Sequence, residues 1–260
     1  MVQYNLSFAG AGRVAGALCR EMYSRGINIQ HIVSESQSSA KVLADECNAS
    51  WSDRLVFDDT TDMIIVAVPD HKLNTVLNTI ECSENTLVAH TAGSFGLEVF
   101  PSRLKNRGVF YPLQTFTRNR KVLFSDLPLF IEASSSPMEK ILADLAESLG
   151  GKVYIVDKDD RRLLHLAAVF VCNFVNHMLT AGKEIVSRTG LSYEVLEPLI
   201  METISKAREL GPDESQTGPA VRNDKNTIAK HMDLLSFSPQ LKKIYKEVTE
   251  SIITHYKKEL

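Results

Sequence analysis

The run Gly10-Ala11-Gly12-Arg13-Val14-Ala15 fits the pattern G-x-G-x-x-A. It follows an apolar stretch, Tyr4 to Ala9, and opens a segment with helical spacing through Val14, Leu18 and Met22. In that context each small residue has a physical task. Gly10 permits a tight turn, Gly12 leaves a pyrophosphate room to approach the backbone, and Ala15 keeps the helix close to a sheet. The free N–H groups of the helix N-terminus then suit phosphate. A dinucleotide site on Gly10, Ala11, Gly12, Arg13 and Val14 is expected.

The end of the next strand, Val33-Ser34-Glu35-Ser36, should contact the adenosine ribose. An acidic residue there bonds the ribose hydroxyls of NAD and repels the extra phosphate of NADP. Ser34 and Ser36 instead offer hydroxyls to that phosphate, so Glu35 and the serines point to different cofactors. Val68-Pro69 and His90-Thr91 close the following two apolar runs. Ligands of open α/β sheets bind at such strand ends, so these four residues join the expected cofactor site. For His90 and Thr91 the alternative is strand-end capping. Gln114, in the polar and aromatic loop YPLQTF, is a substrate candidate.

A second group lies on a long helix. From Leu163 to Gly182 there is no Lys, Arg, Asp or Glu. At about 100° per residue, His165, Asn173, Asn176, His177 and Thr180 fall within an arc of about 120°. Apolar side chains fill the remaining girth, which predicts a helix buried between other elements. Its polar stripe lines a substrate cleft or forms an internal hydrogen-bond network. His165 is the natural acid/base for a carbonyl or imine being reduced, with Asn173 and His177 orienting substrate and Asn176 beside them. The stripe spans about 27 Å, too long for one small ligand to touch it all. In a later loop, Gln216 to Asp224, Arg222 either clamps an anion in bidentate fashion or joins an interhelical salt bridge.

These residues need a scaffold, and the pattern supplies one. Strands at Tyr4–Ala9, Ile29–Val33, Asp62–Val68, Thr86–His90, Gly108–Tyr111, Leu129–Ala133 and Lys152–Val156 alternate with helices. The helices are read at 14–26, 38–47, 73–80 and 137–149. Such alternation predicts an α/β, doubly wound sheet. After Asp157 only helices fit, about 161–188, 193–210, 224–236 and 239–258, broken at Thr189-Gly190, Gly211-Pro212, Gly218-Pro219 and Ser238-Pro239. Two domains follow: residues 1–157 for the nucleotide and an all-α domain, 158–260, for substrate and dimerisation.

Composition excludes other classes. The 260 residues are 44% hydrophobic and 23% charged, with a net charge of −3. That is a globular balance with no basic surface for nucleic acid. The polar groups of the uncharged helix make a membrane span costly. Cys19, Cys47, Cys82 and Cys172 form no close pair in sequence, and with no secretory pattern they read as reduced thiols of a cytoplasmic protein. No metal is expected.

GAGRVA, VAVPD, HTAG, YPLQTF, HLAAVFVCNFVNH and TGPAVRND together resemble the Rossmann-like NAD(P)-dependent oxidoreductases that carry a C-terminal helical domain of unknown function. More distantly the layout is similar to pyrroline-5-carboxylate reductase, ketopantoate reductase, and the 6-phosphogluconate and 3-hydroxyacid dehydrogenases. The resemblance implies an N-terminal Rossmann domain, a 6-phosphogluconate dehydrogenase-like helical C-terminal domain that often dimerises, and NADP as cofactor, with NAD still open. Members of the close family often carry Arg between the two serines, where Glu35 stands here. The Lys and Asn of the 3-hydroxyacid enzymes are replaced by His165 and Val169, so that mechanism does not carry over. The expectation is hydride transfer between nicotinamide and a small carbonyl, imine or hydroxyl substrate. The alternative is a non-catalytic nucleotide-binding or redox-sensing protein. About 100 residues cannot easily bury so apolar a helix, so a homodimer through the C-terminal helices is also expected.

Overall fold

In a computed structural model the chain is described at residues 4–117 and 120–257. It forms two compact units, 1–173 and 174–260. Lys258, read from sequence as the end of the last helix, lies outside the described residues.

The first unit holds β1 (Asn5–Ala9), α1 (Arg13–Ser24), β2 (Asn28–Val33), α2 (Gln37–Glu46), β3 (Ser50–Ser52), β4 (Met63–Val66), α3 (Asp70–Thr79), β5 (Leu87–His90), β6 (Arg107–Pro112), β7 (Pro128–Ala133), α4 (Ser136–Ser148), β8 (Lys152–Ile155) and α5 (Lys158–Ala168). The strands make one sheet in the order β3-β2-β1-β4-β5-β6-β7-β8. All pairs are parallel except β6 with β7. The doubly wound reading therefore holds. The three-residue β3 and the reversal at β7 are additions that hydrophobic periodicity does not encode.

Both sheet faces are covered, as the unbroken apolar runs require. Leu6, Phe8, Ile32, Met63 and Ile65 pack with Leu18, Leu43 and Leu142 on the side of α1, α2 and α4. Ile64, Val66 and Val88 pack with Leu73 and Leu77 of α3 on the other. The sheet also brings Cys19 and Cys47 within 3.2 Å of each other as free, buried thiols.

Helix α5 is fastened to the sheet by Arg161, whose side chain is wholly buried. Its Nη1 donates to the Glu132 carboxylate at 2.8 Å and its Nη2 to the Phe95 carbonyl at 2.5 Å. Asp157 caps the helix by accepting from the Asp160 N–H at 3.0 Å. The boundary expected at Asp157 thus falls at a helix cap, and α5 packs with the first unit.

After α5 the helical ladder widens to a π segment, Val169–Phe174, before resuming as α6 (Val175–Val186). The second unit continues with α7 (Glu197–Leu210), the single turn α8 (Pro212–Ser215), α9 (Lys225–Leu234) and α10 (Pro239–Tyr256). Asp224 caps α9 through the Thr227 N–H at 3.1 Å, and His231 Nδ1 meets the Tyr245 hydroxyl at 2.8 Å, joining α9 to α10. The Arg188 guanidinium lies 3.6 Å from the centroid of Phe237.

The whole helical run Lys158–Thr189 is long and apolar enough, by length and composition, to cross a membrane. Its apolar window is not buried within the chain. This corrects the expectation of a helix enclosed by its own neighbours: Leu163, Leu166 and Val171 are each more than half exposed.

Replacing Arg161 with Met would strand Glu132 beneath α5. Breaking such a pair costs about 3–5 kcal/mol. Urea unfolding of Arg161→Met should show a loss of this order, and Glu132→Gln in the same chain should recover part of it.

Candidate functional site

Each parallel strand delivers its following loop to the carboxyl edge of the sheet. At the end of β1, Gly10 has φ +113°, and a Cβ there would sit 2.3 Å from the Ala67 carbonyl oxygen. Only glycine fits this turn. Its N–H donates to the Val33 carbonyl at 2.7 Å, tying the turn to the end of β2. Gly12 is the N-cap of α1, with no side-chain cap and no acidic residue in the first turn. A Cβ on Gly12 would meet nothing within 4 Å. An uncapped helix start facing open space suits a phosphate, so this turn fits a dinucleotide. Ala11 and Val14 are half-buried and Arg13 is exposed.

The neighbouring loops complete this edge. Ser34 donates its N–H to the Ser52 carbonyl at 3.1 Å. Ser36 Oγ donates to Ser39 Oγ at 3.0 Å, and Glu35 pairs with Lys72. Val68 packs against Gly10, and Pro69 is the N-cap of α3. The Thr91 N–H donates to the Val66 carbonyl at 3.1 Å.

His90 is buried, and both its ring nitrogens are engaged locally. Nδ1 accepts from the Ala92 N–H at 3.2 Å, so Nε2 carries the proton and donates to the Gly96 carbonyl at 3.4 Å. Its ring stacks on Phe100 at 5.3 Å. Burial pushes its pKa down to about 4, with the Gly96 bond opposing and the Arg161 charge reinforcing the shift.

At the ends of β5 and β6 the structure assembles three groups. The Tyr111 hydroxyl lies 2.8 Å from His165 Nδ1, with the rings edge to face. A Cβ built on Gly93 would fall 2.9 Å from Tyr111 Cζ and 3.2 Å from His165 Cγ and Nδ1. The bare backbone of Gly93 therefore fills the space that any other side chain would contest. Burial, then the nearby Asp70 charge, pushes the Tyr111 pKa up to about 12 against the opposing effect of Arg161. Tyr111 thus keeps its proton, and its hydroxyl shares one hydrogen bond with His165 Nδ1. His165 Nε2 has no hydrogen-bond partner among the described residues. Ser94, Asp159, Arg162, Leu163 and Leu166 line an open recess in the same unit.

The other sequence candidates are distributed differently. Gln114 is exposed and turns its Oε1 onto the Thr115 N–H at 2.8 Å. Asn173 ends the first unit and is exposed; Asn176, His177 and Arg222 belong to the second and are also exposed. Arg222 contributes to holding the Asp224 carboxyl below its usual range, after the hydrogen bonds from Thr227. The polar arc assumed an unbroken α ladder, whereas the π segment adds residues per turn. Tyr111, Gly93, Arg161 and Lys72 were missed as site residues. Arg161 stands four residues before His165 and so shares its helix face, a signal present in the sequence.

This carboxyl-edge arrangement defines a class, the dinucleotide-binding dehydrogenases and reductases. Residues 5–93 match the model for NADP oxidoreductases described as coenzyme F420-dependent, and residues 127–252 match the domain of unknown function DUF2520. A solved protein of Bacteroides fragilis, described as a candidate NADP oxidoreductase, is 36% identical over 97% of this chain and 98% of its own, with a TM-score of 0.89. The chain belongs to this family of NADP oxidoreductases, which joins that nucleotide-binding domain to that C-terminal domain. The fold also recurs in a pyrroline-5-carboxylate reductase of Streptococcus pyogenes, at 14% identity and TM-score 0.60 over 96% of this chain and 98% of that one. A reductive aminase of Aspergillus terreus, solved with NADPH, matches at 10% identity and TM-score 0.72 over 98% and 95%. Comparison with curated proteins finds no match.

The buried His90 sets a pH dependence of stability. Its pKa falls from an ordinary 6.5 to about 4 on folding. Between those values the unfolded chain binds a proton that the folded chain refuses, so stability falls as pH falls through that window. The full effect is on the order of 3 kcal/mol. Urea unfolding of wild type and His90→Gln between pH 7 and pH 4, about the ends of that window, should show a smaller acid loss in the variant.

Proposed function

We propose that the chain is an NADP(H)-dependent oxidoreductase acting on a small carbonyl, imine or hydroxyl compound. The hydrogen-bonded Tyr111–His165 pair at the carboxyl edge carries this reading. The turn Gly10–Val14 would hold the pyrophosphate, and Ser34 to Ser36 would face the adenosine ribose. The cofactor, when bound, supplies or accepts the hydride. Everything else falls to the chain's own side chains.

In the reducing direction His165 releases the proton on Nε2 to the oxygen or nitrogen that gains negative charge. Tyr111 passes its proton to Nδ1 as this occurs and recovers one from solvent. In the oxidising direction both transfers reverse. Gly93 keeps the two rings in register. Tyr111 also fixes which nitrogen bears the proton, a condition for useful acid/base work. Gln114 and the recess beside Ser94 and Arg162 would face substrate in the first unit, and Thr91 the cofactor; Asn173, Asn176, His177 and Arg222 are further candidates to orient or clamp substrate.

The expected result is turnover of NADPH with at least one member of a panel of small ketones, imines and hydroxy acids. His165→Ala should lower kcat about 100-fold or more, with NADPH affinity unchanged. Nitrogen-15 NMR of the wild type should show Nδ1 as acceptor and Nε2 as donor. In Tyr111→Phe the two tautomers should mix. A His165→Ala variant with undiminished kcat would remove the assignment.

The apolar, uncovered face of the long helix further supports a homodimer through the C-terminal helices. Leu199, Met201 and Ile204 of α7 are exposed as well. Apolar surface of this extent marks an interaction site, and a second copy offers a matching face. Sedimentation equilibrium at micromolar concentration should give twice the 29.0 kDa chain mass; a persisting monomer, or binding to lipid vesicles instead, would overturn the dimer.

A further inference from the structure

The loop after β2 contains an acid where the family resemblance leads one to expect a base. Glu35 is mostly exposed, and taken alone it would repel a phosphate at this edge. The structure gives it a partner that sequence separation hides. Lys72, on the first turn of α3 and 37 positions further along, donates its Nζ to the Glu35 carboxylate. The Lys72 N–H in turn donates to the Pro69 carbonyl at 2.8 Å, in the loop that follows β4. Two separate loops of the carboxyl edge therefore place a cation beside the β2 end.

Hydroxyls surround the same point. Ser34 Oγ accepts from the Ser36 N–H at 3.3 Å, and Ser36 Oγ lies 3.0 Å from Ser39 Oγ and 3.5 Å from Ser38 Oγ. The Gly10 bond to Val33 holds this loop against the phosphate-binding turn. An adenosine ribose on such a turn ends at β2. Its 2′-phosphate would carry nearly two negative charges and three strong acceptor oxygens.

We infer that Lys72 is the cation that admits the 2′-phosphate of NADP(H), with Glu35 as its counter-ion when no nucleotide is bound. This rests on the NADP(H) reading above. The Lys72 side chain is 41% exposed and that of Glu35 76%. Such solvent-facing pairs are worth little, so the ammonium is readily exchanged from carboxylate to phosphate. Lysine is a flexible point charge with three donors, suited to this exchange. The serine hydroxyls supply the remaining donors. Glu35 then contributes discrimination of the opposite sign: released from Lys72, it can accept from the ribose hydroxyls of NAD(H).

Nicotinamide fluorescence of NADPH and NADH, titrated with the full chain, tests this directly. Lys72→Met should raise the Kd for NADPH about tenfold or more and leave that for NADH within about twofold. Glu35→Gln should shift the ratio the other way, tightening NADPH relative to NADH. Adenosine 2′,5′-bisphosphate should compete with NADPH and lose affinity in Lys72→Met. An unchanged NADPH-to-NADH ratio in Lys72→Met overturns the inference while leaving the nucleotide site intact. Failure of wild type to bind either cofactor, or unchanged binding in Gly12→Val, overturns the NADP(H) reading and the inference with it.

Discussion

A single buried charge sets the geometry on which the site depends. Arg161 is the largest of the fully buried side chains, and burying a cation is costly unless it is paired and hydrogen-bonded. Glu132 and the Phe95 carbonyl meet that requirement only when α5 lies at one height above the sheet. Val109 is the cross-strand partner of Glu132, and Tyr111 that of Phe130. From Val109 to Tyr111 the strand advances about 6.6 Å. From Arg161 to His165 the helix advances about 6 Å. The near equality of these rises is what brings the His165 ring to Tyr111. An apolar contact in place of the ion pair could slide by a turn with far less penalty.

The opposite side of the carboxyl edge obeys a steric constraint instead. Gly10 and Ala67 approach so closely that the turn after β1 and the strand β4 define one another. Beside that approach the first turn of α1 faces open space at Gly12, and the Gly10 N–H reaches the Val33 carbonyl. The edge thus has two fixed points, one steric and one electrostatic. The polar loops between them carry the side chains that differ among proteins of this architecture.

Features dictated by local pattern were legible in the sequence. GAGRVA announced its own turn, the apolar run at Met63–Val66 announced a buried strand, and Pro-containing breaks separated the C-terminal helices. Long-range pairings were not legible. Nothing near Glu35 indicates Lys72, and nothing near Cys19 indicates Cys47. His165 was recognised from its residue type on an uncharged helix. Its partner Tyr111 is not legible in the loop YPLQTF, because only the packed sheet shows which strand faces α5. The helix also departs from the unbroken α ladder that the pattern implies. The π segment that interrupts the regular 100° step leaves no obvious mark in VFVCNF. Burial was overestimated for a related reason: periodicity reports that a helix must be covered, not which molecule covers it.

The reversal between β6 and β7 has a topological consequence of its own. Because β7 runs against β1–β6 and β8 follows it, β8 ends at the amino edge of the parallel strands. The next helix must therefore begin at the floor of the sheet and climb beside β6. With β7 and β8 running upward, the same helix would start at the rim and turn away, carrying Arg161 and His165 past their partners in the wrong order. The parity of strand reversals, one here, decides whether a C-terminal helix ascends to the ligand edge or departs from it.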